Sequence, residues 1–194
     1  MLGLKLPTDP RWVNLAEKQI SEVLIDHAFC EQKAATSCIS LIQSYPDKEE
    51  LVHRLMPVVT EEWEHFRRVV KKMKAYGISL GFQRKDEYVN ALFKFEKKGG
   101  SREDRLVERL LSCALIEARS CERFRLLSLE LRDEELRKFY HGLMASEAGH
   151  YRLFLDLAIL YGEGKEKVLK RWEEFLEYEA DLMTKMVPRG DRVH

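Results

Sequence analysis

From about residue 10 onward, apolar and small residues recur at helical spacing. Leu24, Ala28, Ala35, Cys38 and Ile42 fall on one face of a helix that runs to about Ser44, with a break near its start. Thr8-Asp9-Pro10 opens it, since Thr or Asp can cap free N–H groups and Pro suits a first helical turn. Tyr45-Pro46-Asp47 is a turn, after which Leu55, Val59, Phe66, Val69, Met73 and Tyr76 trace a second helix. Residues 77–100 form a long connection with a short helix near Asp86 to Phe95, ending at Gly99-Gly100-Ser101, where Ser101 can cap the next helix. That third long helix shows Leu106, Leu110, Cys113, Cys121 and Phe124. Asp133 caps a fourth, with Phe139, Leu143, Phe154 and Tyr161 on one face. Past Gly162 and Gly164, a fifth carries Val168, Trp172, Phe175, Leu176 and Met183. The pattern predicts an all-α, ferritin-like four-helix bundle, two antiparallel hairpins joined by a long crossover, plus a C-terminal fifth helix. A single domain is expected over 1–194, with the bundle at about 10–162, the fifth helix at about 165–186 and a loose tail at 187–194.

Each inward face of the four long helices also carries charge. The first has Glu31, the second Glu62 and His65, the third Glu117, the fourth Glu147 and His150. Glu-x-x-His sets a carboxylate and an imidazole one turn apart on the same face. The motif occurs three times, where chance alone gives roughly 0.7. Hairpin geometry separates the three. In an antiparallel pair, residues equally far from the turn lie at the same height, and Glu31 and Glu62 are centred on Pro46-Asp47. Glu117 and Glu147 are centred on Arg132, beside the capping Asp133. Glu50 and His53 would instead face Gln43 and Ser40, so that motif reads as surface. The remaining set gives one Glu from each of two helices and Glu-x-x-His from each of two others, the arrangement of di-iron and di-manganese carboxylate proteins. Four inward carboxylates need compensation, and two divalent cations supply it while the histidines add neutral nitrogen donors. Oxygen-rich ligation with one nitrogen per metal suits iron or manganese better than zinc or magnesium, and spacing does not choose between the two.

Composition narrows the picture further. Lysine plus arginine equals aspartate plus glutamate at 33 each, so any nucleic-acid surface must be a local patch. No apolar run approaches a membrane span and the start lacks a signal peptide's apolar segment, which predicts a cytoplasmic protein. Cys30, Cys38, Cys113 and Cys121 form no Cys-x-x-Cys pair and read as reduced, small apolar residues. Cys38 and Cys121 have no neighbour in sequence that would activate them. His27, one turn before Glu31, reads first as an ordinary core histidine and second as a support for that ligand. Tyr151 and Phe66, each following a ligand histidine, read as packing. Phe124, Phe66 and Leu110 are candidate walls of an apolar pocket, with Ala34, Ala35 and Ser120 leaving room beside the ligands.

The stretch Cys30-Glu31-Gln32-Lys33-Ala34-Ala35, with Leu24-Ile25-Asp26-His27-Ala28 before it, resembles the tRNA hydroxylase family called MiaE. So do Glu62-Trp63-Glu64-His65-Phe66, the segment Ala114-Leu115-Ile116-Glu117-Ala118-Arg119-Ser120-Cys121-Glu122-Arg123-Phe124, and Ala145-Ser146-Glu147-Ala148-Gly149-His150. The similarity spans most of the chain. It implies an O2-dependent non-haem di-iron monooxygenase that hydroxylates the isopentenyl group of 2-methylthio-isopentenyladenosine beside the tRNA anticodon. It also implies iron ligation by Glu31, Glu62, His65, Glu117, Glu147 and His150, and catalysis through those metals. Missing Cys-x-x-Cys pairs imply an external electron-donor protein or reductase. A tRNA substrate asks for local positive charge and planar groups. Arg67, Arg68, Lys71, Lys72 and Lys74 cluster late in the second helix, and Arg84, Lys85, Lys94, Lys97, Lys98, Arg102 and Arg105 decorate the crossover with Tyr88 and Phe93 among them. Arg119, Arg123 and Arg125 flank a ligand helix and read instead as supports for the ligands or as interhelix ion pairs. Two rivals share the ligands: a ferritin-like ferroxidase or iron-storage protein, which needs a large shell rather than a monomer or small oligomer, and a manganese catalase-type peroxidase.

Overall fold

The computed structural model describes residues 2–186 and 189–193, and among these every regular element is helical. The chain divides into two compact units, one of Asn14–Lys85 with Arg189–Val193, the other of Met1–Val13 with Asp86–Pro188.

In the first of these, α1 (Trp12–Lys18) leads through Gln19 into α2 (Ile20–Ser44), the break expected near the start of the first helix. The Lys48 N–H donates to the Tyr45 carbonyl at 3.1 Å, closing the turn into α3 (Glu49–Ala75), which returns antiparallel to α2. Leu24, Ala28, Ala35, Cys38 and Leu41 of α2, and Leu51, Leu55, Val58, Val69 and Met73 of α3, are buried. The stripe is displaced by one residue from expectation at two places: Leu41 and Val58 are buried where Ile42 and Val59 were expected, and Tyr76 is exposed. A 3.6-residue period drifts over seven turns, so reading from either end misplaces the far one.

Residues 189–193 are anchored to this same unit, which corrects the expected loose tail. The Val193 N–H donates to Asp26 at 2.8 Å, Arg192 pairs with Asp26 at 3.4 Å, and Arg84 reaches Asp191 at 3.2 Å. The returning segment thus gives the buried Asp26 carboxylate one backbone N–H and one guanidinium. Val187, Pro188 and His194 of the expected tail lie outside the described residues.

The other unit holds α4 (Glu87–Phe95), α5 (Arg102–Glu130), α6 (Glu134–Tyr161) and α7 (Lys165–Lys185). Asp86, Ser101 and Asp133 cap α4, α5 and α6 by accepting a backbone N–H three residues on, and Ser101 with Asp104 completes a capping box. Thr8 caps nothing: its hydroxyl bonds Glu122 at 2.6 Å. Helix α5 packs against α4, α6 and α7. Its residues 117–124 are consequently buried on every side, not along one stripe.

Candidate metal centre

The α2–α3 hairpin brings Glu31, Glu62 and His65 together. Each is at most 5% exposed, and one ligand atom from each lies within 4.8 Å of the others. The mirror rule holds here: His65 Nδ1 is 3.5 Å from Glu31 Oε2 and 3.6 Å from Glu62 Oε2. Burial works to lower the His65 pKa, but hydrogen bonds and charge from Glu31 and then Glu62 outweigh it and lift it to about 9. Burial likewise pushes the Glu31 carboxyl up, yet the charge and hydrogen bond of His27, with help from His65, hold it well below the usual carboxylate range. His27 Nε2 sits 2.5 Å from Glu31 Oε1 and its ring is fully buried. The support role ranked second for His27 is the one its contact fits. Its signal was the i, i+4 spacing, which alone does not tell a ligand's partner from a core histidine.

The α5–α6 hairpin repeats the arrangement with Glu117, Glu147 and His150, again at most 5% exposed and with ligand atoms within 4.8 Å of one another. Cys121, one turn after Glu117, contacts the Met144 carbonyl across the hairpin at 3.3 Å. Burial first, then the charges of Glu117 and Glu122, push its thiol up to about 11. It is a packing residue at neutral pH, as its sequence surroundings suggested. Glu50 and His53 are both exposed, in keeping with their reading as surface.

Two carboxylates and one imidazole in each hairpin, shut away from water, form a donor set that is costly without a cation and suited to one. Oxygen in excess with a single nitrogen fits iron or manganese. The structure therefore has residues that fit a metal group in both hairpins. Of the candidate pocket walls, Leu110 and Phe124 are buried, and Phe66 is half-buried against Trp63, ring centres 4.9 Å apart. Tyr151 packs on Trp172 with ring centres 6.0 Å apart, consistent with packing.

A second charged cluster lies on α5. Arg119 is fully buried and donates to Glu179 of α7 in a two-pronged contact at 2.8 and 2.9 Å, to Thr8 Oγ1 and to the Leu6 carbonyl at 2.9 Å each, and to Glu122. All five guanidinium N–H groups are thereby used. Arg123 lies over the Trp12 ring, 4.2 Å from its centre. The interhelix reading holds for Arg119. Of the planar groups considered for RNA, Tyr88 is 1% exposed with its hydroxyl on Glu179, and Phe93 lies under the Arg109 guanidinium, so neither offers an open face.

The chain is 39% identical over 160 residues to the tRNA 2-(methylsulfanyl)-N(6)-isopentenyladenosine(37) hydroxylase of Pseudomonas putida, covering 82% of this chain and 77% of the relative. The Salmonella typhimurium protein of the same name is 28% identical over an alignment of 229 positions, covering 93% and 83%. Among solved structures, a Synechococcus protein described as having aldehyde deformylating oxygenase activity superposes with a TM-score of 0.91 at 35% identity, over 98% of this chain and 94% of that one. The fold is accordingly the ferritin-like bundle with a C-terminal helix. The family model described as tRNA-(MS[2]IO[6]A)-hydroxylase (MiaE) matches residues 2–194, and the chain belongs to that family.

Proposed function

We propose that this protein is an O2-dependent monooxygenase that hydroxylates the isopentenyl group of 2-methylthio-isopentenyladenosine in tRNA, using two iron ions held by Glu31, Glu62, His65, Glu117, Glu147 and His150. The observation that carries the reading is the pair of buried Glu-Glu-His sets, one in each hairpin, in a chain of this family. Iron, when bound, supplies the redox chemistry of O2. One oxygen atom enters a C–H bond and the other leaves as water, which takes two electrons and two protons from outside the chain. The protein's part is positional. The six side chains would hold the metals on helices, His27 would orient Glu31, and the apolar side chains of Leu110, Phe124 and Phe66 would keep water from the C–H bond under attack. Since neither set of three completes a paired site, we take the chain to act as one domain. A tRNA substrate places the reaction in the cytoplasm, with an external reductase or electron-donor protein and a monomer or small oligomer as the working form. No described helix is long and apolar enough to cross a membrane.

The test is direct. Protein loaded with ferrous iron, given reductant, O2 and tRNA bearing the prenylated adenosine, should add one oxygen to that nucleoside, read by mass after digestion. Glu117→Ala should abolish the addition and lower metal content; full activity in that variant rules out the assigned site. Oxygen consumption without nucleoside oxidation, in protein with both metals, would favour the ferroxidase or peroxidase rivals.

A further inference from the structure

The hydroxylase reading leaves open which surface holds the RNA, and one stretch of the chain has an unusual charge pattern. Residues 65–85 contain no aspartate or glutamate, while Arg67, Arg68, Lys71, Lys72, Lys74, Arg84 and Lys85 make seven fixed positive charges. In a protein whose net charge is zero, this span is a local cationic surface. Among the described residues, exposed Lys71, Lys74 and Lys85 have no ion-pair partner. Lys71 and Lys74 lie on the helix that carries Glu62 and His65, about 9 and 14 Å along its axis from His65 at roughly 1.5 Å per residue.

Beyond the end of α3 the backbone turns sharply. The Tyr76 N–H donates to the Met73 carbonyl at 3.0 Å and the Ile78 N–H to the same carbonyl at 2.9 Å, with Gly77 at φ +69° between them. Gly81 also has a positive φ, +67°, and the residue after it is Phe82. Phe82 is 93% exposed, against 54% for the next most exposed large apolar side chain among the described residues. Two residues later Arg84 is clamped by Glu22 at 2.8 Å, by the Glu22 carbonyl at 3.0 Å and by Asp191 at 3.2 Å. A loop tied at both ends thus displays a bare aromatic ring three residues before Lys85 and eight after Lys74. Single-stranded RNA loops are gripped in this way, with phosphates on lysine and unstacked bases on aromatic faces.

Resting on the hydroxylase reading, we propose that residues 67–85 form the tRNA-binding surface, with Phe82 stacking on a base of the anticodon loop and Lys71 and Lys74 on its phosphates. The sequence suggested this cationic cluster but paired it with Tyr88 and Phe93; the most exposed ring of the span is Phe82, at 93% against 39% for Tyr76.

The test is a titration of the full-chain protein against a labelled anticodon stem-loop carrying the prenylated adenosine, with thermal melts confirming that each variant is folded. Phe82→Ala should weaken binding about tenfold and Phe82→Trp should restore it to within about twofold, because any broad aromatic face serves for stacking. Lys71→Gln with Lys74→Gln should lower the slope of log affinity against log salt by about 0.7 per lysine. Lys138→Gln, an exposed lysine paired with Glu134 outside this span, should bind as the unchanged protein does. If the unchanged protein binds and hydroxylates tRNA while the Phe82 and lysine variants bind equally well, this surface is wrong and the hydroxylase reading stands. If those variants slow only reduction by an electron-donor protein, the face docks that donor and the proposal fails. If the unchanged protein neither binds nor hydroxylates tRNA, the hydroxylase reading falls and takes this proposal with it.

Discussion

Arg119 draws its partners from α7 through Glu179, from the N-terminal segment through Thr8 and Leu6, and from its own helix through Glu122. Two positions after Glu117, in a run that also contains Glu122 and Arg123, it has the composition of a solvated helix face, yet it is fully buried. Burial works to strip its charge, but Glu179, Tyr88 and Glu122 outweigh that and hold the guanidinium charged. A buried pair contributes little net stability when intact, because desolvation offsets attraction, but removing one partner strands the other. Arg119→Met leaves Glu179 and Glu122 buried beside an apolar chain, which should cost about 3 to 5 kcal/mol. In a chain of this length that lowers the melting temperature by about 10 °C. Arg119→Met combined with Glu179→Leu should melt above Arg119→Met alone, since no carboxylate is then stranded at α7. A single variant that melts with the unchanged protein would mean the network is not holding the N-terminal segment and α7 to α5.

At the level of elements, the sequence spoke clearly where a cap or a turn forces one geometry. Ser101, Asp86 and Asp133 cap the helices expected, and Tyr45-Pro46-Asp47 is a turn. The Glu-x-x-His pairs were legible for the same reason, because a one-turn spacing and a mirror about a turn are both local. What stayed hidden depended on partners distant in sequence. Nothing near Glu117 announces that α5 is buried on all sides at 117–124, nor does Asp26 advertise that residues 189–193 return to it. That returning segment should respond to acid. Arg189, opposed in part by burial and helped by Arg192, lowers the Asp191 pKa below its ordinary 3.8. A lowered carboxylate contributes stability that is complete above the ordinary value and disappears as pH falls through the folded one. Backbone amides of residues 189–193 should therefore keep their hydrogen-exchange protection at pH 7 and lose it below about pH 3.8, ahead of those in α5. Equal protection at both pH values would show that the Asp191 contacts do not anchor the segment.

For the whole molecule, the decisive quantity is the cost of burying Glu31, Glu62, Glu117 and Glu147, each at most 5% exposed. Without metal two imidazoles face four carboxylates; with two divalent cations the carboxylates are neutralised outright, and binding free energy becomes folding free energy. Because an unfolded chain holds no preformed site, ligand present at about a thousand times its dissociation constant adds about 4 kcal/mol for one site. For a chain of this size that corresponds to a rise of about 8 to 16 °C in melting temperature. Anaerobic ferrous iron should produce such a rise, manganese a comparable one if the site does not discriminate, and a chelator should reverse both. Glu117→Ala should melt near the metal-free protein and lose most of the increment, because it removes a ligand and one of the charges that make the cation favourable. This readout needs neither RNA nor oxygen, so it separates the metal centre from the reaction. A protein that melts at the same temperature with and without either metal would overturn the six-residue ligand set, whatever its activity on tRNA.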